Sequence, residues 1–204
     1  MNCIRLSHCT SAEVSAYLQR HDAILIPIGS TEQHGPSGVL GTDTICAEAV
    51  ALAAAERAQL LVGPPLALTV AQFNLGFAGT IAVRASVVQA LIHDYLVSLA
   101  HHGFRHFYFV NGHGANVAVA NAAFQDLYLE RSLRAREDAG PALRCRLRSW
   151  WEFDEVNRLR QALYAEAEGL HATPSEISLA QLAVPETVRD IPVSPEKPLS
   201  AAYM

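Results

Sequence analysis

Two short polar segments of this 204-residue chain carry side chains that could bind a metal ion. The first segment contains Glu32 and His34 and is followed by Asp43, and the second contains His113. Carboxylate oxygens combined with neutral imidazole nitrogens suit Zn²⁺, Mn²⁺ or Fe²⁺. If the four side chains converge, they form a site that can activate water for hydrolysis.

Glycine and proline are frequent in both segments. The first reads Pro27-Ile28-Gly29-Ser30-Thr31-Glu32-Gln33-His34-Gly35-Pro36 and closes with Gly41-Thr42-Asp43, and the second reads Asn111-Gly112-His113-Gly114-Ala115-Asn116. Glycine allows a backbone to turn sharply and to come close to a ligand. We therefore expect Gly29, Gly35, Gly112 and Gly114 to serve the geometry of the site.

Each candidate residue also has an explanation that involves no chemistry. Asp43 could cap the helix that follows it, and Asn116 could cap another. Glu32 and His34 could lie on a solvated turn, and His113 could hydrogen-bond to the backbone at a strand end. The joint occurrence of these residues, more than any one of them, favours a metal site.

Glu176 presents the sharpest conflict between structure and function. The segment Thr173-Pro174-Ser175-Glu176 has threonine at the N-cap position, proline at N1 and glutamate at N3, which is a complete capping box. His171 precedes it by two residues. The same glutamate could therefore be a helix cap or a member of the site.

Strands and helices are predicted to alternate along the chain. The strands are predicted at 23–28, 60–62, 106–110 and 143–150, and the helices at 11–20, 44–59, 86–103, 117–137, 156–168 and 174–182. This alternation predicts an α/β fold of three layers, α/β/α, with a mainly parallel sheet. Sites in such sheets lie beyond the carboxyl ends of the strands. Both polar segments follow strands, so we expect them on one rim, with a long loop at 66–77 near it.

Composition limits the classes of partner. The net charge of −5 and the pI near 6.0 argue against nucleic acid binding and favour a small or neutral partner. No stretch resembles a signal peptide or a membrane span, and the four cysteines, at positions 3, 9, 46 and 145, show no C-x-x-C spacing. We expect free thiols, a cytoplasmic location, one domain at 1–184 and a proline-rich C-terminal arm at 185–204.

The motifs closely resemble those of the creatininase (creatinine amidohydrolase) family. The resemblance rests on the two polar segments and on His171 with Glu176 five residues later. Gly76-Phe77-Ala78-Gly79-Thr80-Ile81 and Ser149-Trp150-Trp151 also look like the family pattern, so the similarity runs from about residue 20 to residue 180.

The resemblance implies an α/β/α amidohydrolase, usually a homo-oligomer, with one or two divalent metals. By similarity, Asp43 would bridge two metals, with Glu32 and His113 completing one coordination sphere and His34 belonging to the other. His171 would be a catalytic proton shuttle beside the substrate, and Glu176 would orient it or reach a metal.

Several positions differ from the family pattern. Creatininase itself has a metal-ligating glutamate two residues after the His113 position, where this chain has Ala115. Glu176 or water could replace it, or the site could hold a single metal. Ser37-Gly38-Val39 replaces the family's His-Leu-Pro, and Asn74 stands where histidine is frequent, so creatinine is not the expected substrate.

We therefore predict a metal-dependent hydrolase that cleaves a non-peptide or cyclic amide C–N bond by means of metal-bound hydroxide. Zn is the first choice of metal, with Mn or Fe as alternatives. Other activities of the same family remain open, namely hydrolysis of formamides, of short peptides or of a ring C–C bond. A non-catalytic metal-binding protein is the alternative from another class.

Overall fold

The computed structural model describes residues 3–134, 140–189 and 191. Within these residues four strands and six α-helices alternate, as predicted. The strands are β1 (Ala23–Ile28), β2 (Leu61–Val62), β3 (His106–Asn111) and β4 (Arg144–Ser149), and the helices are α1 (Ser11–Leu18), α2 (Thr42–Ala58), α3 (Ala85–His102), α4 (Asn116–Ser132), α5 (Asp154–Tyr164) and α6 (Pro174–Ala183).

All strand pairs of the sheet are parallel, in the order β2-β1-β3-β4. The register places Ile28 beside Asn111 and Asn111 beside Ser149. The carboxyl ends of β1, β3 and β4 therefore lie side by side. Because the two polar segments leave the sheet from β1 and β3, they begin on the same rim.

Helices cover both faces of the sheet. On one face, Ile24, Ile26 and Phe109 pack in a buried cluster with residues of α1, α3 and α4. On the other face, Leu25 and Val110 pack against α2. Alternate residues of each strand point to opposite faces, so both sets become buried only when helices lie on both sides. The predicted three-layer α/β/α architecture is confirmed.

Local sequence signals placed several element ends correctly. Thr10 and Glu13 form a capping box at the start of α1, whose sequence spacing is the usual one, and Gly103 ends α3 with a φ of 118°. Residues 79–83 form no strand and contribute an isolated bridge between Thr31 and Ile81. Helix α4 is described to Ser132, and residues 135–137 of its predicted extent lie outside the described residues.

The prediction of four free thiols is wrong at two positions. Cys3 and Cys9 form a disulfide, whereas Cys46 and Cys145 are free. A turn of 3₁₀-helix at Leu6–His8 folds the chain back and brings the two Cα atoms to 5.9 Å, a proximity that the C-x5-C spacing did not indicate.

The C-terminal part of the chain is described only to residue 191. Its described portion includes a 3₁₀ turn at Pro185–Thr187, and most of the predicted arm, residues 190 and 192–204, lies outside the described residues. The domain boundary at 184 stays a prediction. No described helix is long and apolar enough to cross a membrane.

Candidate metal centre

The candidate centre lies at the rim formed by the carboxyl ends of β1 and β3, against the first turn of α2. The loops that follow β1 and β3 approach α2 so closely that a Cβ atom at Gly112 would lie 2.0 Å from the carbonyl oxygen of Asp43. A Cβ atom at Gly29 would lie 2.3 Å from the backbone nitrogen of Thr44. Glycine is therefore required at both positions, whereas a Cβ at Gly114 would meet nothing within 4 Å.

Asparagine side chains connect the loops of the rim. Asn116 Nδ2 donates to the carbonyl oxygen of Gly29 at 2.9 Å, and Asn111 Oδ1 accepts from the backbone nitrogen of His113 at 3.1 Å. The interpretation of Asn116 as a helix cap is wrong, because the N-cap of α4 is Ala115 and the buried amide bridges to the β1 loop.

Asp43 lies at the middle of the centre, with a different histidine at each carboxylate oxygen. Oδ1 is 2.8 Å from His34 Nε2, and Oδ2 is 2.9 Å from His113 Nδ1 and accepts from Ser30 Oγ at 2.8 Å. The interpretation of Asp43 as an N-cap is wrong, since Gly41 is the N-cap and Asp43 lies inside the first turn. Burial would raise the pKa of Asp43, but the two histidines outweigh it and lower that pKa.

The backbone determines which nitrogen of His34 can act as a ligand. Nδ1 lies 3.1 Å from the carbonyl oxygen of Glu32 and must donate to it, because a carbonyl only accepts. In the neutral ring, Nε2 is then unprotonated although it faces Asp43 Oδ1. Burial lowers the pKa of His34, but the hydrogen bond and charge of Asp43 outweigh it and raise that pKa to about 9. A proton or another cation is thus strongly favoured between the two groups.

His113 is arranged in the same way. Its Nε2 donates to the carbonyl oxygen of Val70 at 2.8 Å, which leaves Nδ1 facing Glu32 Oε1 at 2.8 Å and Asp43 Oδ2 at 2.9 Å. Burial lowers the pKa of His113, but the adjacent Asp43 and Glu32 outweigh it and raise it to about 10. Glu32 Oε1 is buried and has no hydrogen-bond donor. These three converging atoms are of the types that could hold a divalent metal ion.

Glu176 forms the predicted capping box and also lies close to His34 of the centre. The capping box is present, since Oε1 accepts from the backbone nitrogen of Thr173 at 2.6 Å and Thr173 Oγ1 accepts from the backbone nitrogen of Glu176. The same Oε1 lies 3.9 Å from His34 Nε2. Burial, with a contribution from Asp43, raises the pKa of Glu176 to about 7. No described hydrogen bond joins Glu176 to His171.

His171 lies at the edge of the centre. Its Nε2 is 2.8 Å from the carbonyl oxygen of Gln33, and its ring is 4.6 Å from that of His34. Because Nε2 donates to the carbonyl, Nδ1 is the free nitrogen, and it points toward Glu32 Oε1 at 4.0 Å. Burial and the neighbouring His34 lower the pKa of His171, so the ring is neutral near pH 7.

The predicted ligands form two buried groups that share Asp43. Glu32, Asp43 and His113 offer ligand atoms within 4.8 Å of one another, and so do His34, Asp43 and Glu176. A third group combines Glu32 and His34 with His171. All six site residues predicted from the sequence are therefore brought together. In the half of the site around His34, where Ala115 cannot be a ligand, the carboxylate of Glu176 is therefore close enough to be considered beside water.

Several neighbours of the centre were not assigned a function from the sequence. Asn74 Nδ2 donates to Glu32 Oε2 at 2.6 Å, and Gln33 Nε2 donates to Asn74 Oδ1 at 3.1 Å. Ser30 supports Asp43. Gln33 and Ser30 lie inside the first polar segment, and that position is a sequence signal for a place near the site. The sequence marks Asn74 only as a departure from the family pattern. Arg160 lies on the amphipathic helix α5, and no local sequence pattern around it indicates a function.

A cavity of about 340 Å³ opens beside the centre. Asp43, His113, His171 and Glu176 are among its lining residues. The remaining walls come from Trp150, Trp151, Arg160, Thr173 and the segment Gly169–Leu170, with Gly112 and Gly114 at the rim. A small molecule in this cavity would contact both the metal ligands and the indole rings.

A family model described as creatinine amidohydrolase (Creatininase) matches residues 7–203. The chain belongs to the creatininase family. A solved structure of creatinine amidohydrolase superposes with a TM-score of 0.82 at 24% identity and covers 100% of this chain and 85% of its own, which shows the shared fold. Other solved creatininases of this fold include one named for Mn and one of a Zn–Zn type.

Curated relatives within the family differ in their activities. A mycofactocin precursor peptide peptidase of Mycobacterium ulcerans (strain Agy99) is 41% identical over 117 residues, which are 53% of this chain and 46% of the relative. The creatinine amidohydrolase of Pseudomonas putida is 29% identical over 164 residues, 77% of this chain and 61% of the relative. The chain thus spans about half the length of the first curated relatives it matches.

Proposed function

We propose that this creatininase-family chain hydrolyses the C–N bond of a small amide with the help of divalent metal at the centre described above. One observation carries the proposal. One nitrogen of His34 and one of His113 donate to backbone carbonyls, so in the neutral rings the other nitrogen, which faces a buried carboxylate, is unprotonated. Such an arrangement is stabilised by a cation between the two groups.

The donor set fits two divalent ions per chain. Glu32, Asp43 and His113 would hold one ion, and His34, Asp43 and Glu176 the other, with Asp43 as the bridge. Mixed imidazole and carboxylate ligands suit Zn first, and Mn or Fe as alternatives. A divalent metal bound there supplies Lewis acidity, which lowers the pKa of a coordinated water from 15.7 to about 7.

His171 is proposed to transfer the proton. Its free Nδ1 faces the centre, and its lowered pKa leaves it neutral and able to accept a proton near pH 7. In hydrolysis the acyl carbon gains the oxygen of water while the C–N bond breaks. His171 Nδ1 would accept the proton from the attacking water and then donate it to the departing nitrogen.

The cavity favours a neutral substrate with an apolar part. Arg160 is the one Lys or Arg side chain among its lining residues, and its charge is already paired with Glu168 at 2.6 Å. Trp150 and Trp151 add aromatic surface to the lining of the cavity. A compact cyclic or aliphatic amide would therefore be bound by the indoles, with its carbonyl toward the metal ligands.

A second candidate is cleavage near the end of a short peptide. It is favoured by the 41% identity to a peptide peptidase over the region that includes half of this chain. Leu170 lines the cavity and is fully exposed, so the cavity is open to solvent beside it and could accommodate a longer substrate. The bond to be cleaved is an amide C–N bond in both cases, so the same centre could act on a small amide or on the end of a peptide.

The test combines metal loading with a substrate panel. Protein stripped by a chelator would be reloaded with Zn²⁺ or Mn²⁺ and assayed on cyclic amides, formamides, short peptides and a cyclic ketone. We expect metal-dependent turnover of an amide by the wild type and loss of metal and activity in His113→Ala. His93→Ala is the matched control, because His93 lies on the surface of α3 and pairs with Glu130.

Two results would contradict the proposal. One is a wild-type protein that binds no divalent metal. The other is an activity that survives both the chelator and His113→Ala. Turnover of the ketone alone, with all amides unchanged, would replace C–N hydrolysis by ring C–C cleavage.

We also propose that the chain forms a homo-oligomer. Among the described residues, Phe73, Leu75 and Phe77 lie close together in sequence on one loop and are each more than half exposed. Aromatic side chains grouped in this way are typical of protein interfaces. Light scattering coupled to size-exclusion chromatography tests this, and a monomer at assay concentrations would contradict it.

A further inference from the structure

The segment Glu168–Thr173, here called the His171 loop, forms one wall of the cavity and carries His171 near its middle. Residues 169–172 make no backbone–backbone hydrogen bond to the described part of the chain. Ala172 has a φ of 52°, which is uncommon for a residue with a side chain. The conformation of the loop must therefore be maintained by side chains.

The carboxylate of Glu168 joins the two ends of this loop. Oε1 accepts from Ser175 Oγ at 2.5 Å, and Oε2 accepts from the backbone nitrogen of Ser175 at 3.3 Å. Ser175 is the residue next to Glu176 at the start of α6. The side chain of Glu168 is only 3% exposed. A buried carboxylate thus spans the loop that holds His171.

Arg160 completes the arrangement from α5. It donates to Glu168 Oε1 through Nε at 2.9 Å and through Nη2 at 2.6 Å, and its Nη1 donates to Asn157 Oδ1 at 3.0 Å. Its guanidinium also lies 5.8 Å from the ring centre of Trp150. The buried charge of Glu168 is therefore compensated, and the loop is connected to the tryptophan wall.

We propose that Arg160, Glu168 and Ser175 form a clasp that holds the His171 loop against the cavity, so that Glu168 and Arg160 are positioning residues for His171. The catalytic consequence rests on the proposed function. The structural consequence does not, because Trp150 and Trp151 are the only tryptophans in the chain and both line the cavity. Their accessibility reports directly on the loop.

The experiment compares Glu168→Gln with Glu155→Gln. Both substitutions replace a carboxylate that is paired with an arginine of α5, but the Glu155–Arg158 pair is exposed. Acrylamide quenching of tryptophan fluorescence is measured on the metal-free proteins. We expect the quenching constant to rise about twofold or more in Glu168→Gln and to remain at the wild-type value in Glu155→Gln.

Activity of the metal-loaded proteins gives the second measurement. Glu168→Gln is expected to lower kcat at least tenfold with wild-type metal content, because His171 loses its position while Glu32, Asp43 and His113 are untouched. Arg160→Met should have a similar effect, and the double variant should be no worse than the worse single variant, since both disrupt one unit.

Several outcomes would overturn the clasp. Wild-type quenching in Glu168→Gln would do so, and so would independent, additive effects of the Arg160 and Glu168 substitutions. If Glu168→Gln does not fold, Ser175→Ala removes only the hydroxyl contact and must still raise the quenching constant. A wild-type protein without hydrolytic activity would sink the proposed function, while the quenching result would still decide the clasp.

Discussion

Replacement of Glu176 by glutamine separates its two structural roles. The amide oxygen of glutamine can still accept from the backbone nitrogen of Thr173, so the capping box is retained. The negative charge near His34 is lost. Glu176→Gln therefore changes the charge of the centre with little change to the end of α6.

The magnitude follows from burial of the carboxylate in the metal-free protein. The pKa of Glu176 is raised from 4.5 to about 7, so between these values the native state keeps a proton that the unfolded chain has lost. The free energy of unfolding then falls as the pH rises from 4.5 to 7. A shift of this size corresponds to about 3 kcal/mol above pH 7. Without metal at pH 8, Glu176→Gln should be more stable than the wild type by up to that amount, and about equally stable at pH 4.5.

Bound metal should reverse the order of stability. Because the variant loses a ligand, its metal content should fall from two ions per chain to one. It then also loses the stabilisation that metal binding provides, about 2.7 kcal/mol per site when the free metal concentration is a hundred times Kd. Thr173→Ala is the control, since it removes the cap, costs about 1 kcal/mol at every pH and leaves the metal content unchanged. Urea unfolding at pH 5 to 8 and elemental analysis measure these quantities. Parallel pH profiles and equal metal content in the variant and the wild type would refute a ligand role for Glu176.

Three other substitutions test separate parts of the centre. His171→Ala should keep its metal but lose about 10²- to 10⁴-fold in kcat, as expected for a lost proton-transfer group; unchanged turnover of the true substrate would exclude this role. Asn74→Ala should weaken metal affinity about 10- to 100-fold by removing support from a ligand carboxylate, and isothermal titration should show no such change for the exposed Gln72→Ala. Gly112→Ala should destabilise the fold by about 3 kcal/mol or more, because its Cβ would overlap the backbone of α2. Gly114→Ala is the control, and its stability in thermal unfolding should match that of the wild type within about 1 kcal/mol. Similar losses of stability in the two variants would contradict the steric argument.

Much of the fold could be predicted from local patterns. The apolar run of β1 indicates a buried strand, and the glycine after α3 indicates a helix end. Both signals lie in the local sequence, because they reflect the burial and the backbone conformation of neighbouring residues. The Cys3–Cys9 disulfide was not predicted, because it depends on how a single 3₁₀ turn reverses the chain. The exact start of α2 was also missed, by two residues, and with it the position of Asp43 inside the helix.

The identity of the ligands and the geometry of the centre come from different levels of structure. The residue types and spacing of Glu32, His34, Asp43 and His113 were sufficient to predict that these side chains meet on one rim, because parallel strands bring their carboxyl ends together. Only the tertiary structure decided which nitrogen of each histidine faces the centre. That choice depends on carbonyl groups of Glu32 and Val70, one of which is distant in sequence from the ring it orients.

Glu176 shows the same division most clearly. Its sequence context predicted a helix cap, and similarity predicted a place in the site, but nothing in the sequence could choose between them. Tertiary packing brings the start of α6 against α2, so one carboxylate oxygen caps the helix and also lies 3.9 Å from His34. The sequence by itself determined which chemical groups are present and which strands carry them. Contacts between distant segments decided which atoms meet, because hydrogen-bond geometry and charge act across space and not along the chain.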